Sequence, residues 1–341
     1  MTAVRALTCP QCNGSLSPSK FARMIVCPYC GTTVQLADEA VSAAVYREAF
    51  TAWNSPAAVS GAPTVRIGGG WWALEGFIAR GEIADVYAAR RARWPTERAV
   101  VKFLRDKRDA DLFDREWQAV ALLRDAEVPG AETFSALIPQ PIAHGDVAEG
   151  PHAGGRASVF RWTVGFRHTL EDVRQAYPKG IEPRPSIWIW RRILEILSFV
   201  HAARLVHGAV LPPQILIQEN DHGVRLVGFS CAARIGKKLP AADTRFEAFY
   251  PAPVLEGSPV VPGSDLAMSA RCIAAALGGD VASGVLPDSV PPPLAAVVRR
   301  VGWPDPKDPL HEDALVIREE LGEVSRKVFG APKFCPIAMP K

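Results

Sequence analysis

The chain has 341 residues, 48% hydrophobic and 22% charged, ordinary proportions for a folded protein that argue against long disorder. Lysine and arginine number 39 against 36 acids, and a formal charge of +3 excludes a nucleic-acid or membrane-binding surface spread over the whole chain. At roughly 150 residues per domain, the length implies two or three domains. The opening MTAVRALTCPQC has no apolar core of the secretory kind, and the longest apolar stretch, IWIWRRILEILSFVHAARLV, is broken by Arg191 and Arg192. The expectation is a cytoplasmic protein with no membrane span.

The first feature along the chain is a pair of knuckles, Cys9-Pro-Gln-Cys12 and Cys27-Pro-Tyr-Cys30-Gly31, with fourteen residues between them. Four thiolates at this spacing can converge tetrahedrally on Zn²⁺, with Zn–S near ~2.3 Å. Two disulfides or a rubredoxin-like iron site are the alternatives, and the lack of a secretory segment disfavours the first. A segment of about 37 residues cannot hold itself by core burial, whereas zinc supplies on the order of 10 kcal/mol of folding free energy. Four cysteine ligands leave no open coordination position, so the expected metal is structural. Residues 1–37 also carry Arg5, Lys20 and Arg23 with no acid. That charge could meet only about three phosphates, which makes nucleic-acid binding a minor alternative. The other cysteines, Cys231, Cys272 and Cys335, have no partner spacing and read as small buried hydrophobes.

Asp38 then caps an expected helix to Trp53, with Val41, Val45 and Ala49 on one stripe, and Asn54-Ser55-Pro56 ends it. Residues 60–70 read as a glycine-rich linker. Residues 71–87 alternate like strands, 98–104 form another, and 111–124 read as a helix. The runs RRARW and GKK read as solvated faces. Short strands end near 158–164, and helices are expected at 186–203, 264–277, 293–301 and 313–329, with two β-rich pieces, ILI and VRLVGF, between the first two helices. Trp188 and Trp190 read as core. A strand-rich half followed by a helix-rich half is an α+β, bilobal pattern.

That order of elements carries motifs that resemble eukaryotic-type protein kinases. ARGEIADVYAARRARWPTERAVVK, residues 79–102, resembles the glycine-rich loop and the strand that follows, although Gly81 is the one glycine of three, with Ala79 and Ala84 at the other positions. The resemblance implies that Lys102 grips nucleotide phosphates, that Glu116 pairs with it, and that Val86 lies over the adenine. Val100 stands where the family has a small alanine, crowding that slot. His207-Gly208-Ala209-Val210-Leu211-Pro212-Pro213-Gln214-Ile215-Leu216 aligns without a gap with the HRDLKPxNIL catalytic run. Ala209 takes the place of the base aspartate, and Gln214 that of the metal-binding asparagine. In Gly228-Phe229-Ser230, Gly228 takes the place of the Mg²⁺-binding aspartate. His207 and Phe229 match the lower members of the family's hydrophobic spine, Leu216 the residue beneath the adenine, and Asp265 the buried aspartate of a long helix. YPAPVL, residues 250–255, resembles the end of an activation segment, with Val254 where a glutamate is expected and no arginine partner near residues 305–309.

The implied organisation is a zinc ribbon (1–37), a helical linker (38–63), a kinase-like N-lobe (64–163), a C-lobe (164–331) and a tail (332–341). Losing a general base costs ~10²–10⁴ in rate, and losing metal-held charge stabilisation costs roughly another 10³. From a typical ~10 s⁻¹, the two together leave about 10⁻⁵ s⁻¹. The sequence therefore reads as a catalytically inactive pseudokinase, a regulatory or scaffolding module with structural Zn²⁺ and a protein partner. ATP in its vestigial cleft is an open question. An atypical ATP-dependent phospho- or nucleotidyl-transferase is the first alternative, and a zinc-ribbon nucleic-acid binder is the second.

Overall fold

The structure is a computed structural model that describes residues 7–8, 15–16, 24–26, 33–35, 61–92, 97–218, 222–305 and 313–339. The expected helix at 38–53 lies outside the described residues. Near the start are two antiparallel hairpins. One joins β1 (Leu7–Thr8) to β2 (Ser15–Leu16), and the other joins β3 (Met24–Val26) to β4 (Thr33–Gln35).

Six strands then close into an antiparallel barrel: β5 (Thr64–Ile67), β6 (Gly70–Arg80), β7 (Ala84–Arg91), β8 (Arg98–Leu104), β9 (Pro141–Glu149) and β10 (Arg156–Arg161). The strand β5 corrects the reading of 60–70 as linker. Val65 and Ile67 alternate inward and are fully buried, and Gly68-Gly69, both at positive φ, make a two-residue turn that pairs Ile67 with Gly70. Glycines read as a linker are here a hairpin, and β5 closes the barrel by pairing with both β6 and β9. The barrel interior is filled by Val65, Ile67, Trp72, Leu74, Val101 and Val159, among others. The expected solvated run RRARW is corrected in part as well. Arg90 is buried and paired with Glu75, while Arg91 stacks over Trp72 at 4.7 Å and is ion-paired with Glu97.

Between β8 and β9 runs helix α1 (Ala110–Arg124), one residue longer than expected. After β10 come the short strand β11 (His168–Thr169) and α2 (Leu170–Ala176). Thr169 and Asp172 form a reciprocal capping box on α2, a helix that sequence reading missed. The helical half is built around α3 (Pro183–Ala202), where Ile189, Trp190, Ile193 and Leu197 have no exposed surface. It continues through β12 (Leu205–Val206), the hairpin β13 (Ile215–Gln218) and β14 (Gly223–Leu226), β15 (Ala233–Arg234), α4 (Pro262–Ala276), α5 (Pro292–Gly302) and α6 (Ala314–Phe329). Prolines at the first helical turns of α3, α4 and α5 explain why these helices begin earlier than expected, since proline's missing N–H costs nothing there. Residues of α1 and Phe160 of β10 belong to the core of the helical half. No described helix is long and apolar enough to cross a membrane.

The segment 330–339 packs back onto α3. His222, fully buried, is stacked between Trp188 at 4.4 Å and Phe334 at 4.3 Å, and Trp188 Nε1 donates to the Cys335 carbonyl at 3.1 Å. Cys231 and Cys272 are buried as expected, but Cys335 is half-exposed.

Candidate functional site: the cleft between the barrel and the helical half

The roof of the cleft is one face of the barrel sheet. Strand register places Val86 of β7, Lys102 of β8 and Ser158 of β10 in one row, with Ala88, Val100 and Phe160 in the next row of that same face. Lys102 Nζ lies 2.6 and 2.8 Å from the two carboxylate oxygens of Glu116 on α1, and 5.6 Å from the centre of the Phe160 ring. Glu116 is 3% exposed, so the ammonium is what makes its burial tolerable. Val86, Val100 and Leu216 are half-buried.

Helix α1 is held to the barrel by a second group of residues, which the sequence did not reveal. Asp114 accepts two bonds from Arg156, at 2.6 and 2.8 Å, and faces His144 Nε2 at 3.0 Å. His144 Nδ1 meets Ser158 Oγ at 2.8 Å, and the imidazole stacks on Trp117 at 5.1 Å. Burial lowers the pKa of His144, outweighing the pull of Asp114. Asp114 lies half a turn from Glu116 on the helix, but its partners come from β9 and β10, which no local pattern announces.

The glycine-rich loop is a tight turn. Gly81 N donates to the Ala84 carbonyl at 2.8 Å, so that amide is already engaged. Arg105 at the end of β8 donates to the carbonyls of Gly81 and Glu82, both at 3.2 Å. Across the cleft, the Glu82 carboxylate pairs with Arg245 Nη2 at 2.9 Å, and Arg245 is in turn held by Asp243. Neither arginine was singled out from sequence.

The floor hangs on Asp265 of α4, which is fully buried. One of its oxygens accepts from His207 N at 2.7 Å and faces His201 Nε2 at 2.9 Å; the other accepts from Gly208 N at 2.9 Å. Burial alone would raise its pKa, but the bonds from His201 and the backbone hold it below the usual carboxylate range. Gly208 has φ +73, and a Cβ there would come within 2.5 Å of the Cys231 carbonyl, which is why this turn needs glycine. His207 Nδ1 accepts from Ala209 N at 3.2 Å, so the imidazole proton sits on Nε2 and is donated to the Val227 carbonyl at 3.0 Å. The ring is fully buried, which depresses its pKa and keeps it neutral, and it meets Phe229 edge-on at 4.4 Å. Histidine here is a packed core group.

At the positions where chemistry would sit, the side chains are short or neutral. Ala209 is 4% exposed and offers a methyl group. Gly228 is left-handed (φ +80, ψ 54), and a Cβ there would collide with Gln214 Oε1 and Cδ and lie 2.9 Å from Nε2. The Gln214 amide thus occupies the space into which a side chain at 228 would grow. A Mg²⁺ site does not fit this pair of residues, because they bring one neutral amide oxygen and no carboxylate, and Mg²⁺ is held by at least one carboxylate beside phosphate and water oxygens. Among the described residues no three His, Cys, Asp or Glu side chains are grouped to hold a metal. The end of the activation-like segment is anchored by Arg271 of α4, which donates to the Ala248 and Tyr250 carbonyls at 3.0 and 2.6 Å. Arg271 carries no sequence signal for this role, and residues 306–309, where an arginine partner is expected to be missing, lie outside the described residues.

Cys9, Cys12, Cys27 and Cys30 lie outside the described residues. The strands that flank them are paired so that Thr8 faces Ser15 and Val26 faces Thr33.

A strand barrel with helix α1 packed between it and a helical half is a protein kinase-like fold. Among solved structures the chain is similar to "Structure of vaccinia related kinase 3", with a TM-score of 0.60 and 17% sequence identity over 82% of this chain and 95% of that chain. No family model and no curated protein matches the chain in sequence.

Proposed function

We propose that this protein is a pseudokinase, a kinase-like module without phosphoryl-transfer activity that serves as a regulatory or scaffolding partner for other proteins. One observation carries the reading: the Gln214 amide fills the space over Gly228, at the position where the resemblance puts a metal-binding carboxylate. Phosphoryl transfer is mostly positioning and charge neutralisation by Mg²⁺. Ala209 removes the base as well, and the change of metal supplies neither group. What remains is packing: the Asp265 anchor, the His207–Phe229 contact and the Lys102–Glu116 pair.

The test is label transfer from γ-labelled ATP with Mg²⁺ or Mn²⁺, to the protein itself and to generic acceptor proteins. The reading expects no signal above a heat-inactivated control. A second reading, an atypical transferase, is favoured by the Lys102–Glu116 pair alone, and it requires label transfer that disappears in Lys102→Ala. The proposed zinc is tested separately by metal analysis of the full chain. One Zn²⁺ per chain, lost together in a variant carrying Cys9→Ser and Cys27→Ser, is expected; iron or no metal would overturn it.

A further inference from the structure

Three segments distant in sequence meet where α3 ends. Strand β12 pairs with β15, with Leu205 opposite Arg234, and Ile235 N donates to the Arg204 carbonyl at 3.2 Å. The chain then runs through Gly236 alongside Val260. Gly236 N donates to the Val260 carbonyl and Val260 N to the Lys237 carbonyl, both at 2.8 Å. Arg204, Arg234, Lys237 and Lys238 are all exposed at this junction. We propose that the junction docks an acidic segment of a partner protein, one in which Asp or Glu alternates with aliphatic residues.

The charge here is unbalanced. Residues 198–208 and 231–242 contain no Asp or Glu, and residues 254–264 contain one, the exposed Glu256. Asp243, just beyond, is taken by Arg245. No carboxylate among the described residues pairs with any of the four cations. Four cations against one acid leave +3, as large as the formal charge of the whole chain. Arg204 also stands at φ +63, the left-handed position after a helix where glycine is the ordinary residue. An exposed arginine there bears a backbone cost that packing does not offset. The C-terminal end of α3 favours a cation at 204, but it does not account for Arg234, Lys237 and Lys238.

Two aliphatic side chains accompany the cations: Leu255, 40% exposed, and Val261, 45% exposed. Val261 follows the residue paired with Lys237, and Lys238 Nζ would lie 3.6 Å from a Cβ at Gly257, two residues after Leu255. Cations beside aliphatic surface match carboxylates beside Leu or Ile on a peptide. A nucleic acid fits less well, because bases stack on aromatic rings and the one Phe of these segments, Phe199, is buried. Exposed charges steer and select a partner more than they tighten its binding, so a weak, salt-sensitive encounter is expected. None of these residues enters the reading of the cleft as inactive, and docking here is independent of it.

The test is fluorescence anisotropy with the full chain and a labelled peptide of about twelve residues, in which pairs of Asp or Glu alternate with Leu, at about 50 mM salt. A Kd of about 100 μM or tighter is expected, weakening several-fold at about 200 mM salt. The Asn/Gln counterpart of the peptide should not saturate. Lys237→Glu combined with Lys238→Glu should weaken binding about tenfold or more. Lys107→Glu combined with Lys327→Glu, which makes the same charge change at exposed positions elsewhere, should leave binding unchanged. Arg204→Gly should weaken it about threefold without lowering the melting temperature, since glycine suits the left-handed backbone. Absence of saturable binding overturns the proposal, and so does an equal loss in the two double variants. Tighter binding of an oligothymidylate of the same length would also overturn it and assign the surface to nucleic acid.

Discussion

The roof and the floor of the cleft match the kinase motifs they resemble to different degrees. The roof keeps its charged pair: Lys102 and Glu116 are in direct contact, and α1 is latched a second time through Asp114 and Arg156. The floor keeps its scaffold, with Asp265 gripping the backbone of His207 and Gly208, but its reactive positions hold a methyl, an amide and a hydrogen. Contacts that hold the fold together are present on both sides, and the proposed reading is that Ala209, Gln214 and Gly228 supply no phosphoryl-transfer chemistry. Lys102 is among the contacts that hold the fold, because Glu116 would be a buried lone charge without it. An intact lysine–glutamate pair is thus weak evidence for nucleotide chemistry.

This contrast can be broken at its strongest point first. Asp265→Ala removes the acceptor for three donors in a fully buried site, and a stability loss of about 3–5 kcal/mol is expected from denaturant melts. A loss under about 1 kcal/mol would mean that the floor is not anchored there. Next, Lys102→Ala should cost about 2–3 kcal/mol by stranding Glu116, and the double replacement Lys102→Met with Glu116→Leu should recover most of that. A harmless Lys102→Ala would return the lysine to a purely ligand-binding role.

A pH series sharpens the comparison further. His207 and His144 both have pKa values lowered by burial, so the unfolded chain binds their protons more readily. Their contribution is complete above the unfolded value of about 6.5 and is lost as the pH falls through it. The groups facing His207 are Asp265, Glu116 and His201, and those facing His144 are Asp114, Arg156 and Asp146. Stability should fall from pH 7.5 to 5.5, and less steeply in His144→Gln. A rise over that interval would contradict the neutral assignment. The smallest effect belongs to the exposed Glu82–Arg245 pair across the cleft mouth, whose double-mutant coupling should be under about 1 kcal/mol.

Much of this arrangement was legible in the sequence because it is local or motif-borne. Alternation in β8, the apolar stripes of α3 and α4 and the spacing of Lys102, Glu116, His207 and Phe229 all correspond to observed elements or contacts. What escaped reading depends on partners distant in sequence. Strand β5 was hidden by its glycines, since Gly68-Gly69 reads as linker until Trp72 and Val147 are known to flank the strand. Arg90 reads as solvated until Glu75 is found across the sheet. Arg105, Arg245 and Arg271 act on backbone carbonyls or on residues more than twenty positions away, and such acceptors have no sequence signature. The Gln214–Gly228 contact is intermediate: the substitutions were visible, but that one side chain fills the space of the other was not.

On the proposed reading, the floor formed by Ala209, Gln214 and Gly228 holds no catalytic metal. Calorimetric titration of ATP into the full chain, with Mg²⁺ and then with a chelator, tests it most directly. The account predicts that Mg²⁺ does not strengthen nucleotide binding, whether ATP binds weakly through Lys102 or not at all. Binding that requires Mg²⁺ and is lost in Gln214→Ala would place a metal on this floor and contradict the account.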